Sequence, residues 1–208
     1  MIAAMSARPT QEERVQASTE ALLDAAVKVV AERGYAGASP ALIAAHAGFD
    51  RKMVHHRFGS KEGLFRALFE RSFQRPLLAP TTAVGVPGLD RAANTMLALE
   101  DMWRDDPDFL RAIFTVAFQV AGTRSEIGDI FHTWIATARD AVERALADGQ
   151  RDGSVRPDLD AARAAQAAVD ATTGLTYRWC QEPDSTDLAL ELRSWVTVAR
   201  QLFGTRPG

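Results

Sequence analysis

The chain of 208 residues carries one cysteine, Cys180, and only two tyrosines. A lone cysteine closes no internal disulfide and leaves no thiol cluster for a metal, which excludes a cross-linked scaffold and a cysteine-based metal centre. A reducing, cytoplasmic setting is expected. No apolar run approaches the roughly 18 residues that a membrane-spanning helix needs. The opening MIAAMSARPT has no apolar core behind basic residues and reads as a ragged start, not a signal peptide. No stretch alternates apolar and polar residues for long enough to make a strand. Also missing are G-x-S-x-G, H-E-x-x-H, a Walker lysine loop and a dinucleotide-binding glycine fingerprint.

What is present is an ordinary globular composition, 47% apolar and 25% charged. That balance excludes disorder for the bulk of the chain. The formal charge of −3 hides an asymmetry. Up to Arg75 there are 11 Lys+Arg against 8 Asp+Glu, and from Pro76 onward 13 against 19. Residues 50–75 alone hold seven basic and three acidic side chains, besides His55 and His56. A basic block beside an acidic remainder fits a polyanion-binding segment, and it fits equally a solvated Arg-rich helix face.

The apolar spacing reads as helix almost throughout, and the expected fold is all-α. Leu23, Val27 and Val30 give a buried stripe over residues 20–33, ended by Gly34. Ser39-Pro40 supplies a capping hydroxyl and a first-turn proline for a short helix that stops near Ala47-Gly48. Asp50 opens the next helix, and Ser60 caps a longer one that runs to Pro76. Proline and glycine between residues 76 and 88 mark a linker, so the chain divides at 1–78 and 79–208. Further helices are expected over residues 89–105, from Asp106-Pro107 to Ala121-Gly122, over 126–150, over 161–179 and over 184–203.

Residues 39–58 have the proportions of a helix-turn-helix, whose second helix enters the DNA major groove. Leu42, Ile43, Ala47 and Val54 would bury between the two helices, with Gly48 at the turn. Arg51, Lys52, His55, His56 and Arg57 would lie on or beside the free face. Long donors there suit phosphates and base edges in a groove about 12 Å wide. His55 and His56 are adjacent, so they diverge around the helix and cannot converge on one metal. His56 is read as a phosphate or base contact, and His55 as either a contact or a packing residue. Lys61 opens a helix whose N-terminus favours phosphate, although a solvated lysine is the plainer reading.

The stretch LLDAAVKVVAERGYAGASPALIAAHAGFDRKMVHHRFGSKEGLFRALF, residues 22–69, resembles the N-terminal domain of the TetR family of transcriptional regulators. The matching pieces are AA…AERGY, S..LIA..AG and HHRF.SKE.L, in that order. DGSVRPDLD, residues 152–160, resembles the loop before the family's penultimate helix. Residues 76–150 match nothing. The resemblance implies a homodimeric, ligand-responsive protein that binds double-stranded operator DNA, most often a repressor. No cofactor is implied. The three N-terminal helices would bind DNA, the last two would pack against a partner copy, and the larger helical domain would take a small, largely apolar effector.

Residue by residue, the resemblance puts Ser39 at a phosphate and Lys61 at the DNA backbone. Lys52 and Met53 fall where Gly-Thr is common, His55 where Tyr is frequent, and His56 where His or Tyr occurs. Asp50 departs from the usual small cap. It either caps its own helix or accepts from a cytosine amino group. These departures bear on which operator is read.

Aromatics dominate the C-terminal half, and most serve as core. Phe114, Phe118, Trp134 and Tyr177 are the candidates for lining an effector pocket, with Trp103 beside them and His132 and Arg111 as polar handles. The small residues AARAAQAA (161–168) allow close helix approach, and Leu175, Leu188, Leu192, Trp195 and Val198 give apolar faces. A twofold partner would cover these faces and set two recognition helices about one DNA turn apart; burial within the subunit is the other reading. Cys180, beside Trp179, reads as a small hydrophobe and not a nucleophile. The competing function is a helical enzyme or ligand carrier whose basic block is mere surface.

Overall fold

The computed structural model describes residues 10–73 and 85–205. The ragged start, most of the expected linker and the 78/79 boundary therefore lie outside the described residues. Among the described residues the chain forms nine helices: α1 (Gln11–Gly37), α2 (Pro40–His46), α3 (Met53–Phe58), α4 (Lys61–Phe73), α5 (Gly88–Asp105), α6 (Pro107–Val120), α7 (Glu126–Asp152), α8 (Ala161–Gln181) and α9 (Leu188–Phe203). Those residues hold no strand, only an isolated antiparallel bridge between Val155 and Gly204. None of these helices is long and apolar enough to cross a membrane. The chain gathers into two compact units, residues 1–68 and 69–208.

In the first unit α1 begins nine residues before the expected start. Thr10 and Glu13 form a reciprocal capping box, the Glu13 N–H donating to Thr10 Oγ1 at 3.2 Å and the Thr10 N–H to Glu13 Oε2 at 2.7 Å. The cap, not an apolar stripe, extends the helix, because only Ser18 of the first turns is buried. Gly34, at φ 66°, breaks the helical path as expected, and a last short turn follows it. Leu22, Ala26, Val29, Ile43, Val54, Leu64, Phe65 and Leu68 make the core. Ala44 is buried too, whereas Leu42 and Ala47, expected inside, are only half-buried. The Tyr35 ring meets Phe65 edge-on with centroids 4.9 Å apart, fixing the end of α1 on α4.

In the second unit small residues bring helices close. Ala92, Ala93, Ala145, Ala164, Ala165 and Ala168 share one core with Met96, Leu146, Val196 and Phe203. The buried Glu100 carboxylate of α5 pairs with Arg193 of α9 at 2.7 Å and with Arg104 one turn on. Leu188 and Leu192 are buried inside the chain, so these two are core and not part of a free face. Helix α9 starts at Leu188, four residues later than expected, because the Asp187 carboxylate caps it by accepting from the Leu190 N–H at 3.0 Å.

The DGSVRPDLD turn joins distant helix ends. Its Asp152 carboxylate accepts from the Gly88 N–H at 2.8 Å, and the Ser154 hydroxyl accepts from the Leu89 N–H at 3.2 Å. The start of α5, which Pro87 cannot cap with a side chain, is thereby capped from 64 positions away. Hydrogen bonds from the Ser154 side chain, then from the backbone of Gly88 and Ser154, hold the Asp152 carboxyl below the usual carboxylate range. The Arg156 N–H donates to the Phe203 carbonyl at 3.0 Å, which ties the end of α9 to the same turn.

Candidate nucleic-acid interface

The turn between α2 and α3 is built from local chemistry. Ser39 Oγ accepts from the Leu42 N–H at 3.2 Å, which caps α2 and leaves the hydroxyl proton to donate outward. Gly48 takes φ +76°, a conformation that side chains resist. Asp50 Oδ1 accepts from the Lys52 N–H at 2.8 Å and its carbonyl from the Met53 N–H at 2.9 Å. Asp50 therefore closes a turn just ahead of α3 and does not cap the helix itself: the N-cap position is Lys52, and no side-chain hydrogen bond caps it. Regular helix begins only at Met53, after a turn through Arg51 and Lys52.

Val54, with Ile43 and Ala44, is buried, so the opposite side of α3 is left outward. Arg51, Lys52, His55 and His56 are exposed there, and with Ser39, Pro40 and Ala41 they line one open groove. The surface presents two fixed cations, two imidazoles and a serine hydroxyl on an element of groove width. Met53 sits half-buried beside it.

Two expected members of this face point elsewhere. Arg57 is half-buried, and its Nε–H donates to the Ser18 hydroxyl of α1 at 3.1 Å. Lys61 Nζ donates to the Tyr35 carbonyl and lies 4.1 Å from the centroid of the Tyr35 ring. Burial lowers the Lys61 pKa, against a smaller opposing pull from Glu62. Burial, with Glu62 again second, raises the Tyr35 phenol. Both basic side chains lean on α1, whose nearness no local spacing reveals.

The second unit holds a partly open cavity of about 40 Å³. Its wall comes from Thr95, Met96 and Leu99 of α5, Phe114 of α6, Trp134, Ile135, Ala138 and Val142 of α7, and Val169, Thr172 and Thr173 of α8. Phe114 and Trp134 stand where expected. Phe118 and Tyr177 do not reach the wall; they meet edge to face with centroids 5.1 Å apart, in a cluster that continues through Phe114, Phe131 and Trp134. Trp103 and the exposed His132 are not in the wall, and no charged side chain is. The α5 residues went unread, although Thr95, Met96 and Leu99 share a helical spacing that marks one inward face.

Arg111 also stays out of the cavity and instead faces Cys180. Burial pushes the Cys180 thiol up from 9.0 to about 11, against smaller opposing effects from a Thr115 hydrogen bond and the Arg111 charge. The thiolate is the reactive form, so two units of pKa make alkylation by iodoacetamide at pH 8 about 100-fold slower in the folded chain than in urea. The unfolded thiol ionises near 9.0 while the folded one holds its proton to about 11. Folded chains then bind more protons in that window, and the melting temperature falls as pH rises through it.

Residues 22–68 match the profile of bacterial regulatory proteins of the tetR family. Over nearly its whole length the chain is 26% identical to the HTH-type transcriptional regulator TtgR of Pseudomonas putida, covering 96% of this chain and 97% of that one. In fold it is similar to the MbdR regulator of Azoarcus sp. CIB, with a TM-score of 0.76 at 20% identity over 91% of this chain and 100% of the other. It is similar also to SmeT, the repressor of the Stenotrophomonas maltophilia multidrug efflux pump SmeDEF, with a TM-score of 0.73 at 23% identity over 93% of each chain. The capped turn, the outward basic helix and these likenesses converge: residues 22–68 form a helix-turn-helix domain similar to that of bacterial regulatory proteins of the tetR family, and over nearly its whole length the chain is similar to an HTH-type transcriptional regulator.

Proposed function

We propose that the protein is a cytoplasmic, homodimeric repressor that holds operator DNA through Ser39, Arg51, Lys52, His55 and His56 and lets go when a small apolar effector enters the second unit. Residues 1–78 serve DNA and 79–208 serve effector and partner. The observation that carries this reading is the outward face of α3 and the turn before it, where four basic or imidazole side chains lie exposed. The repressor sense is supported by the likeness to SmeT, itself described as a repressor.

The partner copy covers the outer face of α8 and α9. Tyr177, Leu190, Val198 and Leu202 are 49%, 56%, 45% and 52% exposed, an apolar set that a single chain leaves in water. A twofold contact through them pairs the recognition helices. The effector is uncharged, because a carboxylate in a wall without cations would be buried unpaired. A cavity of about 40 Å³ is far smaller than the roughly 150 Å³ that accommodates benzene, so entry must enlarge it. The effector therefore prefers an expanded conformation, and release of DNA follows from that differential preference.

Fluorescence anisotropy on a duplex that the protein itself selects from a random library tests this reading. A dimer that neutralises six to eight phosphates gives a log-affinity against log-salt slope of about −5 to −7. A slope shallower than about −2, or no selected sequence, overturns it.

A further inference from the structure

We infer that Arg57 is a positioning residue of the recognition helix and not a phosphate contact: its Nε–H, held by the Ser18 hydroxyl of α1, fixes the angle at which α3 is offered to DNA. The inference rests on the DNA-binding reading above and adds how the binding surface is held in register.

Helix α3 has six residues, too few to persist on its own. No side chain of Lys52 caps it, and one side chain, Val54, is buried. Packing centred on one small buried hydrophobe, with Met53 and Phe58 only half-buried beside it, leaves rotation about the helix axis weakly opposed. Among the described residues, the bond from Arg57 Nε to Ser18 Oγ is the side-chain hydrogen bond that ties α3 to another helix, across 39 positions of chain. Ser18 is buried, and its own proton is committed to the Val15 carbonyl at 2.9 Å. Its remaining lone pairs face fixed directions, and a planar guanidinium must meet one of them in line. The link supplies direction where the core supplies only contact. A basic residue next to the groove-facing pair His55 and His56 is thereby spent on aim.

The two roles differ in what they do to salt dependence. A phosphate contact contributes charge, so its loss flattens the slope by about 0.9 per subunit and weakens all sequences alike. An aiming bond contributes geometry, so its loss weakens the selected sequence alone. Ser18→Ala removes the acceptor without touching any charge on the DNA side, and Arg57→Lys keeps the charge without the fork. Each is expected to lower affinity for the selected duplex about tenfold while leaving affinity for random duplex and the salt slope unchanged. The double variant should be no weaker than either single one, the mark of a shared interaction. Circular dichroism melts of each variant separate aim from unfolding, and Arg57→Lys carries the test should Ser18→Ala unfold. Wild-type affinity in both single variants, or an Arg57→Gln variant with a flattened slope, overturns the inference while leaving the regulator reading intact. A wild-type chain that selects no duplex sinks both.

Discussion

Replacing Gly63 with alanine is expected to lower the stability of the N-terminal unit by about 3 kcal/mol and to reduce operator affinity at least about 100-fold. Gly63 lies in the first turn of α4, where an added Cβ would stand 2.1 Å from the Phe58 carbonyl oxygen. That oxygen belongs to the backbone at the end of α3, so no side-chain rotation relieves the clash. The same glycine donates its N–H to the Ser60 hydroxyl at 2.9 Å, the bond that caps α4. A shift large enough to admit a methyl therefore opens the α3–α4 turn and tilts the recognition helix. Gly48→Ala is the control. Its Cβ meets nothing within 4 Å, and the cost is that of a positive φ alone, about 1–2 kcal/mol. Thermal melts followed by circular dichroism, with anisotropy on the selected duplex, read both effects. Equal losses in the two variants would contradict the steric account.

Gly88→Ala is expected to be as damaging to the second unit, by about 3 kcal/mol, seen as a drop in the urea midpoint with little change in slope. An added Cβ there would lie 2.2 Å from the Gly149 nitrogen, 2.3 Å from the Ala145 carbonyl oxygen and 2.5 Å from the Gly149 Cα. All three are backbone atoms of α7. Helices α5 and α7 thus touch main chain to main chain at this point, and the Asp152 cap on the Gly88 N–H depends on that approach. Asp152→Ala removes the cap without the clash and should cost only about 1 kcal/mol, which separates the two contributions. A midpoint unchanged by Gly88→Ala would mean that the two helices can part at no cost.

The helix-turn-helix was legible because its determinants are local. Ser39, Gly48, Asp50 and Ser60 each act within three residues of themselves, and Val54 sets which side of α3 turns in. What could not be read were directions set by distant partners. Arg57 and Lys61 look like their exposed neighbours until α1 supplies Ser18 and the Tyr35 carbonyl, 39 and 26 positions away. The reading of the cavity in the second unit failed for a related reason. Aromatic content pointed to Trp103 and Tyr177, yet the wall is mostly aliphatic and threonine, and only packing decides which face of α5 or α8 turns toward it. Helix starts were missed where a capping side chain mattered more than an apolar stripe, as at Thr10 and Asp187.

The turn at residues 152–160 has a bearing on how the chain comes off the ribosome. The first amides of α5 emerge long before Asp152 and Ser154 exist to receive them, and the turn itself is pinned by Phe203, near the end of the chain. During synthesis α5 must wait with a frayed start, exposed to water, until the closing helix arrives. The second unit is thus expected to mature late and as a whole, while residues 10–68, whose contacts are short in sequence, can fold first.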